Sequence, residues 1–76
     1  MNSRGNLMKY REAVKIIRSK MGITQQEFAD LLNVSVKSVF RWETGKSNPT
    51  TFIQRKLIPY LDEYGINVSI EEAKML

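Results

Sequence analysis

Lys37 and Arg41 stand four residues apart in the stretch Ser35-Val36-Lys37-Ser38-Val39-Phe40-Arg41, a spacing that brings two long cationic side chains to one face of a helix. Both can donate hydrogen bonds to the O6/N7 edge of guanine, and Val36 beside them can pack on a thymine methyl group. This is the chemistry of recognition rather than turnover. The 76 residues include no histidine and no cysteine, so the commonest general base, the commonest metal ligand and any thiolate zinc site are missing. No enzymatic activity, metal or other cofactor is expected.

The elements that must hold those side chains are short helices. At 76 residues the chain has room for one domain and one core, near the lower limit at which an unassisted core sustains a fold. Residues 1–6 are small and polar and read as a flexible amino-terminal arm. Leu7, Tyr10, Val14, Ile17 and Met21 then recur at three- and four-residue spacing and predict a first helix over about 7–20, ended by Gly22. Thr24-Gln25-Gln26-Glu27 is a capping box opening a second helix over 25–32, with Phe28, Leu31 and Leu32 as its inner stripe and Ala29 small enough for close helix approach. Asn33 suits a left-handed turn, and Ser35 caps a third helix reaching about Glu43, with Val39 and Trp42 inward. Thr50 caps a fourth helix carrying Ile53, Leu57 and Leu61, in which Pro59 predicts a kink or break. Ser69-Ile70-Glu71-Glu72 resembles a second capping box for a last short helix. The expected fold class is all-α, a compact bundle of four to five short helices containing a helix-turn-helix, with the domain at 7–65 and an acidic tail at 66–76. No strand pattern competes with it.

Charge is laid out unevenly. Residues 1–60 hold 11 Lys/Arg against 4 Asp/Glu, and residues 61–76 hold 1 against 4. A basic body concentrates polyanions and releases their counterions, which makes nucleic acid the first partner to test and an anionic membrane the second. No apolar run approaches a membrane span, and MNSRGNL lacks the apolar core of a secretion signal, so a cytoplasmic protein is expected.

A helix, a tight turn and a second capped helix form a rigid corner whose second member presents Ser35, Val36, Lys37, Ser38 and Arg41 outward. A helix fits the roughly 12 Å major groove, and the positive end of its first turn is well placed beside phosphates. Arg18, Gly22, Thr24-Gln25, Phe28-Ala29, Leu32, Val34-Ser35, Val39, Trp42-Glu43, Gly45-Lys46 and Pro49 together make the chain resemble the lambda-repressor-like, or XRE-type, helix-turn-helix family of phage and bacterial regulators. The resemblance covers about residues 7–66. It departs at Asn33, where the family usually has glycine.

The resemblance implies that Lys37 and Arg41 read bases, with Val36 among the base contacts. Gln25, Thr44 and Lys46 would hold the phosphate backbone, and Ser35 and Ser38 at the first turn are grouped with them. It also implies a partly buried ion pair between Arg18 and Glu43, which makes Glu43 structural. Trp42 reads as core from its spacing to Val39. Phe40 has no obvious partner: it could pack against the fourth helix, touch a sugar or a thymine methyl, or meet a protein, and packing is the favoured reading. Arg4 in the arm could enter a minor groove, although an arm without function is favoured. Arg55 and Lys56 are equally well explained as a solvated face.

The function expected is sequence-specific binding of double-stranded DNA by a transcriptional repressor, acting as a homodimer on a palindromic operator. Ile66, Val68, Ile70, Met75 and Leu76 form a candidate dimer surface, or else close the domain's own core. Regulators of this family often carry a sensing domain, and with no room for one here no small-molecule ligand is expected. Two other readings stand beside this one: an antitoxin whose acidic tail engages a toxin protein, and a protein-binding adaptor using Val36 and Phe40.

Overall fold

The computed structural model describes residues 7–68. Four helices follow one another, α1 (Tyr10–Met21), α2 (Gln25–Leu32), α3 (Val36–Thr44) and α4 (Thr51–Glu63). The arm expected at 1–6, with Arg4, the last helix expected over 69–76, and the 69–76 part of the dimer segment expected over 66–76 lie outside the described residues.

The starts of α2, α3 and α4 are set by local side-chain chemistry, whereas α1 begins after Lys9 with no side-chain cap. Thr24 Oγ1 accepts from the Glu27 N–H at 3.1 Å while Glu27 Oε1 accepts from the Thr24 N–H at 2.9 Å, a reciprocal capping box that satisfies two otherwise orphaned donors. Ser35 Oγ accepts from the Ser38 N–H at 3.2 Å, and Thr50 Oγ1 from the Ile53 N–H at 3.4 Å. The ends are closed by one recurring device. At α1, for instance, Ile23 N–H donates to Arg18 O and Gly22 N–H to Ser19 O. At α2, Val34 N–H donates to Ala29 O and Asn33 N–H to Asp30 O. This paired closure requires a left-handed residue, supplied by Gly22 at φ 69° and by Asn33 at φ 62°. Asparagine thus serves the corner where glycine is usual in the family.

The inward faces meet in one core. Tyr10, Ala13, Val14 and Ile17 from α1 pack with Phe28, Ala29 and Leu32 from α2, Val39 and Trp42 from α3, and Ile53, Leu57 and Leu61 from α4. Tyr60 meets Phe28 edge to face, with ring centroids 6.0 Å apart. Ala13 and Ala29 are fully buried and let neighbouring backbones approach.

The structure corrects several expectations. The first helix begins at Tyr10, not Leu7. Leu7–Met8 instead forms a two-residue strand, β1, paired in parallel with β2 (Asn67–Val68), in the register Leu7 to Asn67 and Met8 to Val68. Backbone groups at both ends of the domain thereby find partners that neither segment could supply alone. Leu31 is 51% exposed, because the buried arc of α2 runs through Phe28, Ala29 and Leu32 and leaves Leu31 at its outer edge. Pro59 does not break α4, which runs unbroken to Glu63. Arg55 and Pro59 are both exposed, so this turn of α4 lies on the solvent side, where water can serve a carbonyl deprived of its helical donor. Ile66 is buried in the core and Val68 packs against it, so both close the domain's own interior.

Candidate nucleic-acid interface

Around α3 the residues divide sharply by face. Val39, Trp42 and Glu43 are buried, whereas Val36, Lys37, Phe40, Arg41 and Thr44 are exposed. Lys37 and Arg41 therefore do share an outward face, with Val36 on its edge. Ser35 is exposed and Ser38 half-buried, and their hydroxyl oxygens lie 3.2 Å apart at the first turn. The Thr44 hydroxyl turns back to donate to the carbonyls of Phe40 and Arg41, at 3.0 and 3.2 Å.

The loop after α3 is held by the same double closure as the other corners. Lys46 N–H donates to Arg41 O at 2.9 Å and Gly45 N–H to Trp42 O at 3.2 Å, with Gly45 at φ 79°. That geometry puts Lys46 at the surface just beyond the helix. A Cβ at Gly45 would come within 3.2 Å of Arg11 Nη1, the end of an exposed, flexible side chain that can shift, so it is the turn that calls for glycine.

Behind the exposed face lies an ion-pair cluster. Arg18 Nε donates to Glu43 Oε2 at 2.8 Å and Arg18 Nη2 to Glu43 Oε1 at 3.0 Å, a two-point pairing of guanidinium and carboxylate. Arg18 Nη1 also donates to Ile23 O at 3.0 Å, and Gln25 Nε2 donates to Glu43 Oε1 at 2.9 Å. Burial alone would raise the Glu43 carboxyl, but the hydrogen bonds from Arg18 and Gln25, helped by the charges of Arg18 and Lys15, outweigh it and hold the group below its ordinary value. The hydrogen bond from Arg18 to Glu43 correspondingly raises the arginine. With Glu43 only 7% exposed, the carboxylate belongs to the scaffold and not to the surface that faces a ligand.

Gln25, grouped above with the phosphate contacts, is thus also a partner of Glu43. It is half-buried at the first position of α2, and one of its two amide hydrogens is engaged by the carboxylate.

Sequence reasoning missed Arg11. A pocket of about 190 Å³ at the foot of α3 is lined by Lys9, Arg11, Gly45 and Asn48, and it adds cations from the start of α1 to the loop that carries Lys46. The signal was present in the spacing: Arg11 lies seven residues before Arg18, two helical turns along the same face of α1.

A helix-turn-helix family model matches residues 14–58, more than half of the chain. The chain belongs to the lambda-repressor-like, or XRE-type, helix-turn-helix family. The matched span takes in most of α1, all of α2 and α3, and the first half of α4. Over 50 residues the chain is 40% identical to the type II methyltransferase M.MspI of Moraxella sp, an alignment covering 60% of this chain and 12% of that protein. No solved structure matches. Membership of a helix-turn-helix family makes this a DNA-binding domain. Among the described residues no helix is long and apolar enough to cross a membrane.

Proposed function

We propose that this helix-turn-helix protein is a sequence-specific regulator of transcription, a cytoplasmic repressor that binds a palindromic operator as a homodimer and catalyses no reaction. The observation that carries the reading is the exposed arc of α3, where Lys37 and Arg41 stand together on a helix anchored from behind by Trp42, Val39 and the Arg18–Glu43 pair. Lys37 and Arg41 donate to base edges in the major groove, with Val36 against a methyl group, while Gln25, Ser35, Ser38, Thr44 and Lys46 line the phosphate rails on either side. A single module of this size buries little surface. Two copies on half-sites about 34 Å apart, one helical turn, supply the specificity that one lacks.

Selection of bound sequences from a random DNA pool tests this directly, giving half-site, symmetry and spacing together. Lys37→Ala and Arg41→Ala are each expected to cost about 1 to 3 kcal/mol on the selected operator and little on unrelated DNA. Both variants binding that operator as well as wild type would overturn the assignment of α3.

One observation favours a second reading, a protein-binding adaptor: Val36 and Phe40 leave apolar surface on the same face. Salt separates the two. Groove binding makes log affinity fall steeply with log salt, whereas an apolar protein contact hardly responds.

A further inference from the structure

Phe40 is the residue on α3 that neither the core nor the cationic contacts absorb. Phe40 is 49% exposed, and it is not among the partly buried apolar residues that pack against the core. Among the described residues the ring pairs are Phe28 with Tyr60 and Lys56 with Phe52, and Phe40 takes part in neither. At the helical repeat Phe40 lies about 40° from Val36 and about 60° from Lys37 around the axis. It therefore sits inside the exposed arc, flanked by the residues assigned to base contacts, and not on a separate side. An aromatic ring there cannot serve a phosphate and has no hydrogen bond to offer a base edge. In the major groove one apolar feature of the bases projects outward, the C5-methyl group of a pyrimidine.

We infer that Phe40, together with Val36, forms an apolar strip on α3 that determines specificity by packing on pyrimidine C5-methyl groups. This inference rests on the proposed groove-binding role of α3 and names what the middle of that helix reads. The donors Lys37 and Arg41 select guanine on one flank of the strip, and the strip itself selects a methylated pyrimidine edge. Thymine and 5-methylcytosine present the same methyl group at the same place, so either satisfies the contact. A serine or threonine at this position would give a polar tip in its place, and the preference for a methyl group would weaken.

The test uses the full chain and its selected operator. Each thymine is replaced singly by deoxyuridine, which removes the methyl group and leaves the hydrogen-bonding edge unchanged, and affinity is measured for wild type, Phe40→Ala and Phe40→Leu. For wild type at least one replacement weakens binding about fourfold, the effect of one buried methyl-sized group. In Phe40→Ala that ratio of thymine to deoxyuridine collapses towards one, and in Phe40→Leu it is intermediate. Placing cytosine at the same position weakens wild-type binding, and 5-methylcytosine there regains part of the loss in wild type but not in Phe40→Ala. That arm separates the methyl group from the rest of the thymine edge. Phe40 is on the surface, so thermal unfolding of the variants is expected to match wild type, and comparing ratios within each variant removes any general weakening. If the operator is bound specifically but no deoxyuridine effect depends on Phe40, the inference falls while the reading of α3 stands. If no sequence is selected from the pool, both fall.

Discussion

Arg18 on the first helix and Glu43 at the end of the third are joined by two hydrogen bonds of 2.8 and 3.0 Å, behind the face that carries Lys37 and Arg41. The pairing adds a directional constraint on the position of α3 against α1 to the packing of Val39 and Trp42 in the core. A third partner, Gln25, brings α2 to the same carboxylate. One buried oxygen pair thus sets the mutual placement of three helices. Buried ion pairs contribute little net stability, and their value is in geometry.

Removing that charge should make stability lose part of its pH dependence. The folded Glu43 carboxyl lies below its ordinary value, so its contribution is fully present above the unfolded-state pKa of about 4.3 and is lost as pH falls through the folded value. Glu43→Gln is expected to cost roughly 1 to 3 kcal/mol at pH 7. Urea unfolding at pH 7 and at pH 3 measures the gap between variant and wild type, which narrows on acidification. A gap of the same size at both pH values counts against the pairing as the cause.

Gln25→Ala separates the observed bond to Glu43 from the phosphate contact proposed for that side chain. Loss of the 2.9 Å bond to Glu43 is expected to lower stability by about 1 kcal/mol. Loss of the proposed phosphate contact is expected to weaken binding to the selected operator and to unrelated DNA by the same factor, as read by parallel titrations. A loss confined to the operator contradicts a backbone-positioning role.

What was legible in the sequence was local. Thr24 with Glu27, Ser35 and Thr50 announce helix starts because a cap is made within three residues, and the observed α2 and the start of α3 fall where those residues place them. What was not legible depends on distant partners. Leu7 and Met8 continue the periodicity of α1, yet they pair as a strand because Asn67 and Val68 come alongside from the other end of the domain. Pro59 is tolerated because of where its turn faces, and no helix propensity records that. On the interface, the outward position of Lys37 and Arg41 follows from spacing alone, but the approach of Arg11 to Gly45 and of Gln25 to Glu43 appears only once the helices are packed.

Asn33 occupies a left-handed conformation at φ 62° in the corner between α2 and α3. Asn33→Ala is expected to lose about 1 kcal/mol, since a side chain with a Cβ and no local hydrogen bonding is disfavoured there. Asn33→Gly is expected to be neutral within about 0.5 kcal/mol, its freedom in the unfolded chain offsetting the relieved strain. Thermal unfolding ranks the three proteins, and an alanine variant as stable as the glycine one would show that the corner relaxes.

Lys56 binds the corner from the fourth helix. Its ammonium donates to Leu32 O at 2.9 Å, at the carbonyl end of α2, and stands 5.0 Å from the centre of the Phe52 ring. The negative end of the α2 dipole and the aromatic face both favour a cation there, and the long methylene stem reaches it without burying the charge. Lys56→Met keeps the stem and removes the ammonium, so it is expected to destabilise the domain by about 1 kcal/mol. Because the charge faces the protein's own backbone, the slope of log affinity against log salt should stay as in wild type, whereas Lys46→Met should reduce it by about one ion's worth. A Lys56→Met protein with wild-type stability and a shallower salt slope would move this lysine from the scaffold to the DNA surface.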